Sequence, residues 1–149
     1  MKEKSLILII DDEKDLVDML AYQFKARGYD TDTAGDGLEG LEKLKTIKPD
    51  LIVLDMNMPK MGGIDFYQKI CGADGRPACP VLVLTARANM EQLFRDLNVA
   101  GFMAKPFEVD ELIGEAELII KKKARQTETV KWQKTKVLHS IYVIDDKPE

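Results

Sequence analysis

Histidine and cysteine are nearly missing from this sequence: one histidine, His139, and two cysteines, Cys71 and Cys79, in 149 residues. A zinc centre built on those side chains is short of ligands, and the Cys71 and Cys79 spacing matches no CxxC metal or redox pattern. The two thiols fit reduced cysteines of a cytosolic protein. No apolar run is long enough to cross a bilayer. The first one, Leu6 to Ile10, is cut off by Asp11 and Asp12, so it lacks the length and small-residue cleavage site of a signal peptide. A cytoplasmic location without membrane contact is the simplest reading. No glycine-rich loop follows that run; Asp11-Asp12-Glu13 puts negative charge where a nucleotide or flavin phosphate would have to sit. A net charge of −4 argues against a nucleic-acid surface spread over the whole chain.

What is present is ordinary for a globular protein, with 45% hydrophobic and 32% charged residues. The length suits one domain, residues 1–124, followed by an extension, residues 125–149. Short strand-like runs stand at Leu6–Ile10, Asp30–Ala34, Leu51–Leu54, Val81–Leu84 and Gly101–Met103. The first, third and fourth are continuous Ile, Val and Leu, as expected of strands buried on both faces of a parallel sheet. Between them lie helical periodicities: Leu16, Leu20, Phe24; then Leu38, Leu41, Leu44; then Ile64, Tyr67, Ile70. Met90, Leu93, Phe94 and Leu97 mark a fourth helix, and Val109, Leu112, Ile113, Ala116, Ile119 and Ile120 a fifth. Gly28, Pro49 and Gly72 are placed to stop the first three. Alternating strands and helices predict a doubly wound α/β fold, with the site at the carboxyl edge of the sheet.

Polar residues gather at that edge. Asp11-Asp12-Glu13 follows the first run, Asp55 the third, Thr85 the fourth and, after Ala104, Lys105-Pro106 the fifth. Three nearby carboxylates repel one another, and a hard divalent cation with oxygen ligands, Mg²⁺ rather than Zn²⁺, relieves that. Asp12, Asp55 and a backbone carbonyl after Asp55 could be direct ligands, with Asp11 acting through water. Lys105 and Thr85 suit the equatorial oxygens of a phosphoryl group, with Asp55 as carboxylate nucleophile. Taken singly, each residue has a plainer use: Asp11 and Asp12 capping a helix, Asp55 in a turn before Pro59, Thr85 as a helix cap, Lys105 on the surface, Phe102 in the core. Four such pieces at successive strand ends favour one pocket.

On Leu8-Ile-Ile-Asp-Asp-Glu13, Leu54-Asp-Met-Asn-Met-Pro-Lys-Met-Gly-Gly63, Leu84-Thr-Ala86 and Lys105-Pro-Phe107, the chain resembles the receiver domains of bacterial two-component response regulators. The resemblance implies a flavodoxin-like, five-stranded parallel sheet in the order 2-1-3-4-5, with helices on both faces. It implies that Asp55 is the phosphoacceptor, that Asp11 and Asp12 with the main-chain carbonyl of Asn57 hold Mg²⁺, and that Thr85 and Lys105 serve the phosphoryl group. Thr85 and Phe102 would be the switch pair, and the Lys105–Pro106 bond would be cis. Such a domain is a switch rather than an enzyme, though it promotes its own phosphorylation and dephosphorylation. Its partners would be a sensor histidine kinase or phosphotransfer protein and a downstream protein target, with no direct nucleic-acid binding. A homodimer could form through the face of the fourth helix, fifth strand and fifth helix, or through the tail. Two features depart from the family: Asn98-Val-Ala-Gly101 stands where a longer loop is expected, and Phe102 replaces the commoner tyrosine. Arg87 and Asn57 flank the entrance, where they would tune dephosphorylation.

Three other functions compete. An aspartate-nucleophile phosphatase needs a second acid two residues after the nucleophile, where Asn57 stands. A nucleotide or flavin binder lacks its phosphate loop. A constitutive scaffold has no use for the full set Asp11, Asp12, Asp55, Thr85 and Lys105. In the extension, Ser140-Ile-Tyr-Val-Ile-Asp-Asp146 echoes Ser5-Leu-Ile-Leu-Ile-Ile-Asp-Asp12. It reads either as the start of a second such domain or as a strand that needs a partner.

Overall fold

A computed structural model of the chain describes residues 4–58, 61–86 and 99–124. Its strands are β1 (Leu6–Ile10), β2 (Asp30–Ala34), β3 (Leu51–Asp55), β4 (Val81–Thr85) and β5 (Gly101–Ala104). They form one parallel sheet in the order β2-β1-β3-β4-β5. The helices are α1 (Lys14–Ala26), α2 (Gly37–Lys43) and α3 (Gly63–Ile70), with another over residues 109–124. The expected fourth helix, around Met90 to Leu97, lies outside the described residues, as do Pro59, Arg87 and the extension.

The period-two alternation of each central strand feeds two cores. Ile7, Ile9, Leu51, Val53, Leu82 and Leu84 point to one face, where α1 supplies Val17, Leu20 and Phe24 and the 109–124 helix supplies Leu112, Ala116 and Ile119. Leu8, Ile10, Ile52, Leu54, Val81 and Val83 point to the other, against Phe66 and Tyr67 of α3 and Leu41 of α2. Each fully buried Leu, Ile or Phe contributes about 1.5–3 kcal/mol relative to exposure. The helices therefore cover both faces, as a parallel sheet requires.

The polar run Asp30-Thr-Asp-Thr-Ala34 becomes a strand because it is an edge. Threonine suits the pleat, and Asp32 takes an ion pair from Lys43 at 2.6 Å, so charge guards the open edge. Gly28 ends α1 in the left-handed region at φ +95°, and the Tyr29 N–H returns to the Phe24 carbonyl at 3.1 Å. Asp36 caps α2 by accepting the Glu39 N–H at 2.8 Å, while Glu39 accepts the Gly35 N–H at 2.8 Å. Leu38, expected on the buried stripe, is exposed: α2 is short and meets the sheet through Gly40, where a Cβ would stand 2.7 Å from Ile10 Cδ1. Among the described residues no helix is long and apolar enough to cross a membrane.

Candidate functional site

The register carries the carboxyl ends of the central strands to one level. Asp55, last in β3, pairs with Leu84, and Thr85, last in β4, pairs with Ala104. Backbone bonds continue past the strand ends: the Asp11 N–H donates to the Ala34 carbonyl at 3.1 Å and the Lys105 N–H to the Thr85 carbonyl at 2.7 Å. These bonds fix the first residue after β1 and after β5, so Asp11 and Lys105 have little freedom to drift from the sheet. The Lys105–Pro106 bond is cis.

Lys105 bridges the acids. Its Nζ stands 3.0 Å from Asp11 Oδ2, 3.1 Å from Glu13 Oε1 and 3.5 Å from Asp55 Oδ1. Asp11 and Asp55 are buried, at 1% and 2% exposure, whereas Asp12 is exposed. One carboxylate oxygen from each of Asp11, Asp12 and Asp55 lies within 4.8 Å of the others. Asp11 has two jobs: Oδ1 accepts the Glu13 N–H at 3.0 Å, turning the chain toward α1, while Oδ2 faces Lys105. The N-cap of α1 is Glu13, with no side-chain cap bond, so helix capping does not account for this aspartate pair.

Burial, and then the charge of Asp11, push Asp55 up to about 6; the Asn57 N–H, 3.3 Å from its Oδ1, and Lys105 pull it the other way. Burial on its own would lower Lys105, but the hydrogen bond and charge of Asp11, the charge of Asp55 and the Glu13 bond outweigh it, so its pKa rises. Asp55 is thus ionisable near neutrality beside a firmly cationic lysine. Asn57 itself is exposed at the mouth, and Thr85 is buried at 1%. Phe102 sits on β5, half-buried against the core that α3 faces.

Two contributors were not identified from sequence. Glu13 was visible as the third acid of its run, but only the fold shows that it reaches Lys105. Gly63 closes the motif that begins at Leu54, and the motif alone does not say what the glycine is for. Its φ is ordinary; the need is space, because a Cβ there would lie 2.7 Å from Met56 Cα and 2.8 Å from the Asp55 carbonyl oxygen. The bare α3 terminus can therefore press against the backbone that carries Asp55.

The donor set fits magnesium: three clustered carboxylates, all oxygen, with no soft ligand among them.

Comparisons with known proteins agree with this architecture. The family model for the response regulator receiver domain matches residues 7–117. The alkaline phosphatase synthesis transcriptional regulatory protein PhoP of Bacillus subtilis is 37% identical over 118 residues, covering 78% of this chain and 48% of PhoP. The probable transcriptional regulatory protein TcrX of Mycobacterium tuberculosis is 33% identical over 109 residues, 72% of this chain and 46% of TcrX. This chain spans about half the length of these relatives. Among solved structures, the chemotaxis response regulator CheY4 of Vibrio cholerae superposes with a TM-score of 0.71 at 28% identity, covering 78% of this chain and 99% of that one. Thermotoga maritima TrrA, solved in complex with Mg²⁺-BeF, gives a TM-score of 0.67 at 27% identity, covering 77% of this chain and 98% of TrrA.

Proposed function

Since the chain belongs to the response regulator receiver domain family, we propose that Asp55 accepts a phosphoryl group and that its phosphorylation switches a protein-binding surface. The observation that carries this is the clustering of Asp11, Asp12 and Asp55 with Lys105 bridging the two buried acids. An Asp55 carboxylate oxygen attacks phosphorus. The bond from phosphorus to the donor's nitrogen or oxygen breaks, its electron pair leaves with the donor, and Asp55 becomes a mixed anhydride. Among the described residues, Lys105 is the ammonium that stands beside Asp55, 3.5 Å from its Oδ1, and Thr85 is the hydroxyl on the neighbouring strand. Water later attacks phosphorus, releasing inorganic phosphate and restoring the carboxylate. In this sense the domain promotes its own turnover.

Asp11, Asp12, Asp55 and the Asn57 carbonyl would hold Mg²⁺, which supplies charge neutralisation for the acids and the phosphoryl oxygens. Thr85 and Phe102 would carry the signal outward, toward β5 and the 109–124 helix. The donor is a sensor histidine kinase or phosphotransfer protein, the receiver of the signal a second protein, and the setting the cytoplasm. A homodimer through that face or through residues 125–149 fits the same scheme. The expectation of no nucleic-acid contact draws no support from the relatives, among them the response regulator MtrA, named as DNA-binding. It rests on this chain's net charge of −4 alone.

The test is incubation with acetyl phosphate and Mg²⁺, followed by intact mass. One phosphoryl group is expected on the wild type and none on Asp55→Asn. Equal addition to both overturns the assignment.

A further inference from the structure

The end of the sheet opposite Asp55 carries a feature that phosphoryl transfer does not use. A cavity of about 680 Å³ opens there between α2, α3, the segment leading into β4 and the end of the 109–124 helix. Its floor is apolar: Leu41, Leu44, Ile47, Ile52 and Ile70, with buried Cys79. Its rim is cationic, with Lys45, Lys48, Lys69 and Lys123 against one carboxylate, Asp50. Asp50 is already engaged, accepting the Leu6 N–H at 2.8 Å. Lys45 has Glu42 at 2.6 Å, while Lys48, Lys69 and Lys123 form no ion pair among the described residues. Lys123 and Cys79 line the same cavity, and the lysine's charge opposes the burial that pushes the Cys79 thiol up to about 11. A second cavity of about 740 Å³ shares Pro77, Ala78, Cys79 and Lys123 with the first and adds Arg76 and Lys122.

We propose that this groove seats an acidic polypeptide segment bearing apolar side chains, presented by a partner protein. Apolar recesses take alternate side chains, and the rim lysines with no ion pair among the described residues, Lys48, Lys69 and Lys123, take carboxylates, which is charge complementarity over a greasy floor. Two adjoining cavities exceed what a single small anion fills. Tyr67 is the one aromatic side chain among the described residues that line the two cavities, and at 1% exposure it offers no face for stacking bases, which disfavours single-stranded nucleic acid. Its apolar atoms are recessed rather than protruding, which disfavours a membrane surface. Because the groove lies at the amino ends of β3 and β4, it can be filled while Asp55 is phosphorylated.

The experiment titrates the intact, isotope-labelled chain with a synthetic peptide alternating leucine and glutamate, with a leucine–lysine peptide as control. Amide shifts are expected at Leu41, Ile47 and Cys79. Affinity should fall roughly tenfold in Lys48→Glu/Lys69→Glu and fall again with added salt. Phosphoryl uptake by that variant should be unchanged, which shows that it folds and separates this result from the fate of the Asp55 reading. Absence of binding, equal binding of the control peptide, or shifts confined to Asp11, Asp55 and Lys105 overturns the proposal. Tighter binding by the intact chain carrying Asp145→Asn/Asp146→Asn would assign the groove to the chain's own tail and overturns it too.

Discussion

Replacing Asp55 by asparagine should stabilise the metal-free protein at neutral pH. Burial and Asp11 raise the carboxyl from 3.8 to about 6 in the folded chain. A raised carboxyl binds protons more tightly when folded. Its contribution is therefore most favourable at low pH and is lost as pH rises from the unfolded value through the folded one. About two pH units at 1.36 kcal/mol each set an upper bound near 3 kcal/mol on the cost of ionising Asp55 in the fold. Asparagine avoids that cost and keeps an oxygen for the Asn57 N–H. It gives up only the longest of the Lys105 contacts, at 3.5 Å, while Lys105 retains Asp11 and Glu13. The net gain expected is about 1–3 kcal/mol. Urea unfolding in chelator at pH 7.5 and pH 4 reads it: the variant should be more stable at the higher pH, and the gap should close at the lower. Added Mg²⁺ should raise wild-type stability, by about 2.7 kcal/mol at a hundred times its Kd, and raise the variant's less. A variant less stable than wild type in chelator at pH 7.5, or a gap that ignores pH, would show that ionising Asp55 does not cost the fold stability.

The other outcomes follow from single contacts. Gly63→Ala should cost about 1–3 kcal/mol by urea unfolding, because its Cβ meets backbone. Gly114→Ala, with open space around it in a helix, should gain about 0.5–1 kcal/mol in the same assay. Asp36→Ala should cost about 0.5–2 kcal/mol through the lost α2 cap, with phosphoryl uptake retained. Glu13→Gln should free Lys105 from one of its carboxylates and speed acetyl-phosphate uptake by at most about fivefold, since Glu13 is largely exposed and screened. A time course of intact mass decides, and slower uptake would show that Glu13 holds Lys105 in its working place.

The strands were legible because unbroken runs such as Leu6–Ile10 and Val81–Leu84 have no other use than burial on both faces. The order of strands came from resemblance, since local pattern does not say which strands are neighbours. Periodicity located α1 and α3 but misjudged α2, where close approach through Gly40 leaves Leu38 outside. In α3 it named Tyr67 but passed over Phe66, the other residue that anchors the helix. The site acids were legible as strand-end residues. What required three dimensions was long-range reach: Glu13 to Lys105 spans 92 positions, and Lys105 to Asp11 spans 94. The clearance at Gly63 was likewise invisible, because a glycine needed for space and one needed for a turn read alike in sequence.

Borohydride trapping identifies the phosphorylated residue chemically. Treating the chain with acetyl phosphate, Mg²⁺ and then borohydride reduces an aspartyl phosphate to homoserine, which peptide mass mapping locates. Homoserine at position 55 is the predicted result. Homoserine at another aspartate, or none while a phosphoryl group is carried elsewhere, would contradict it.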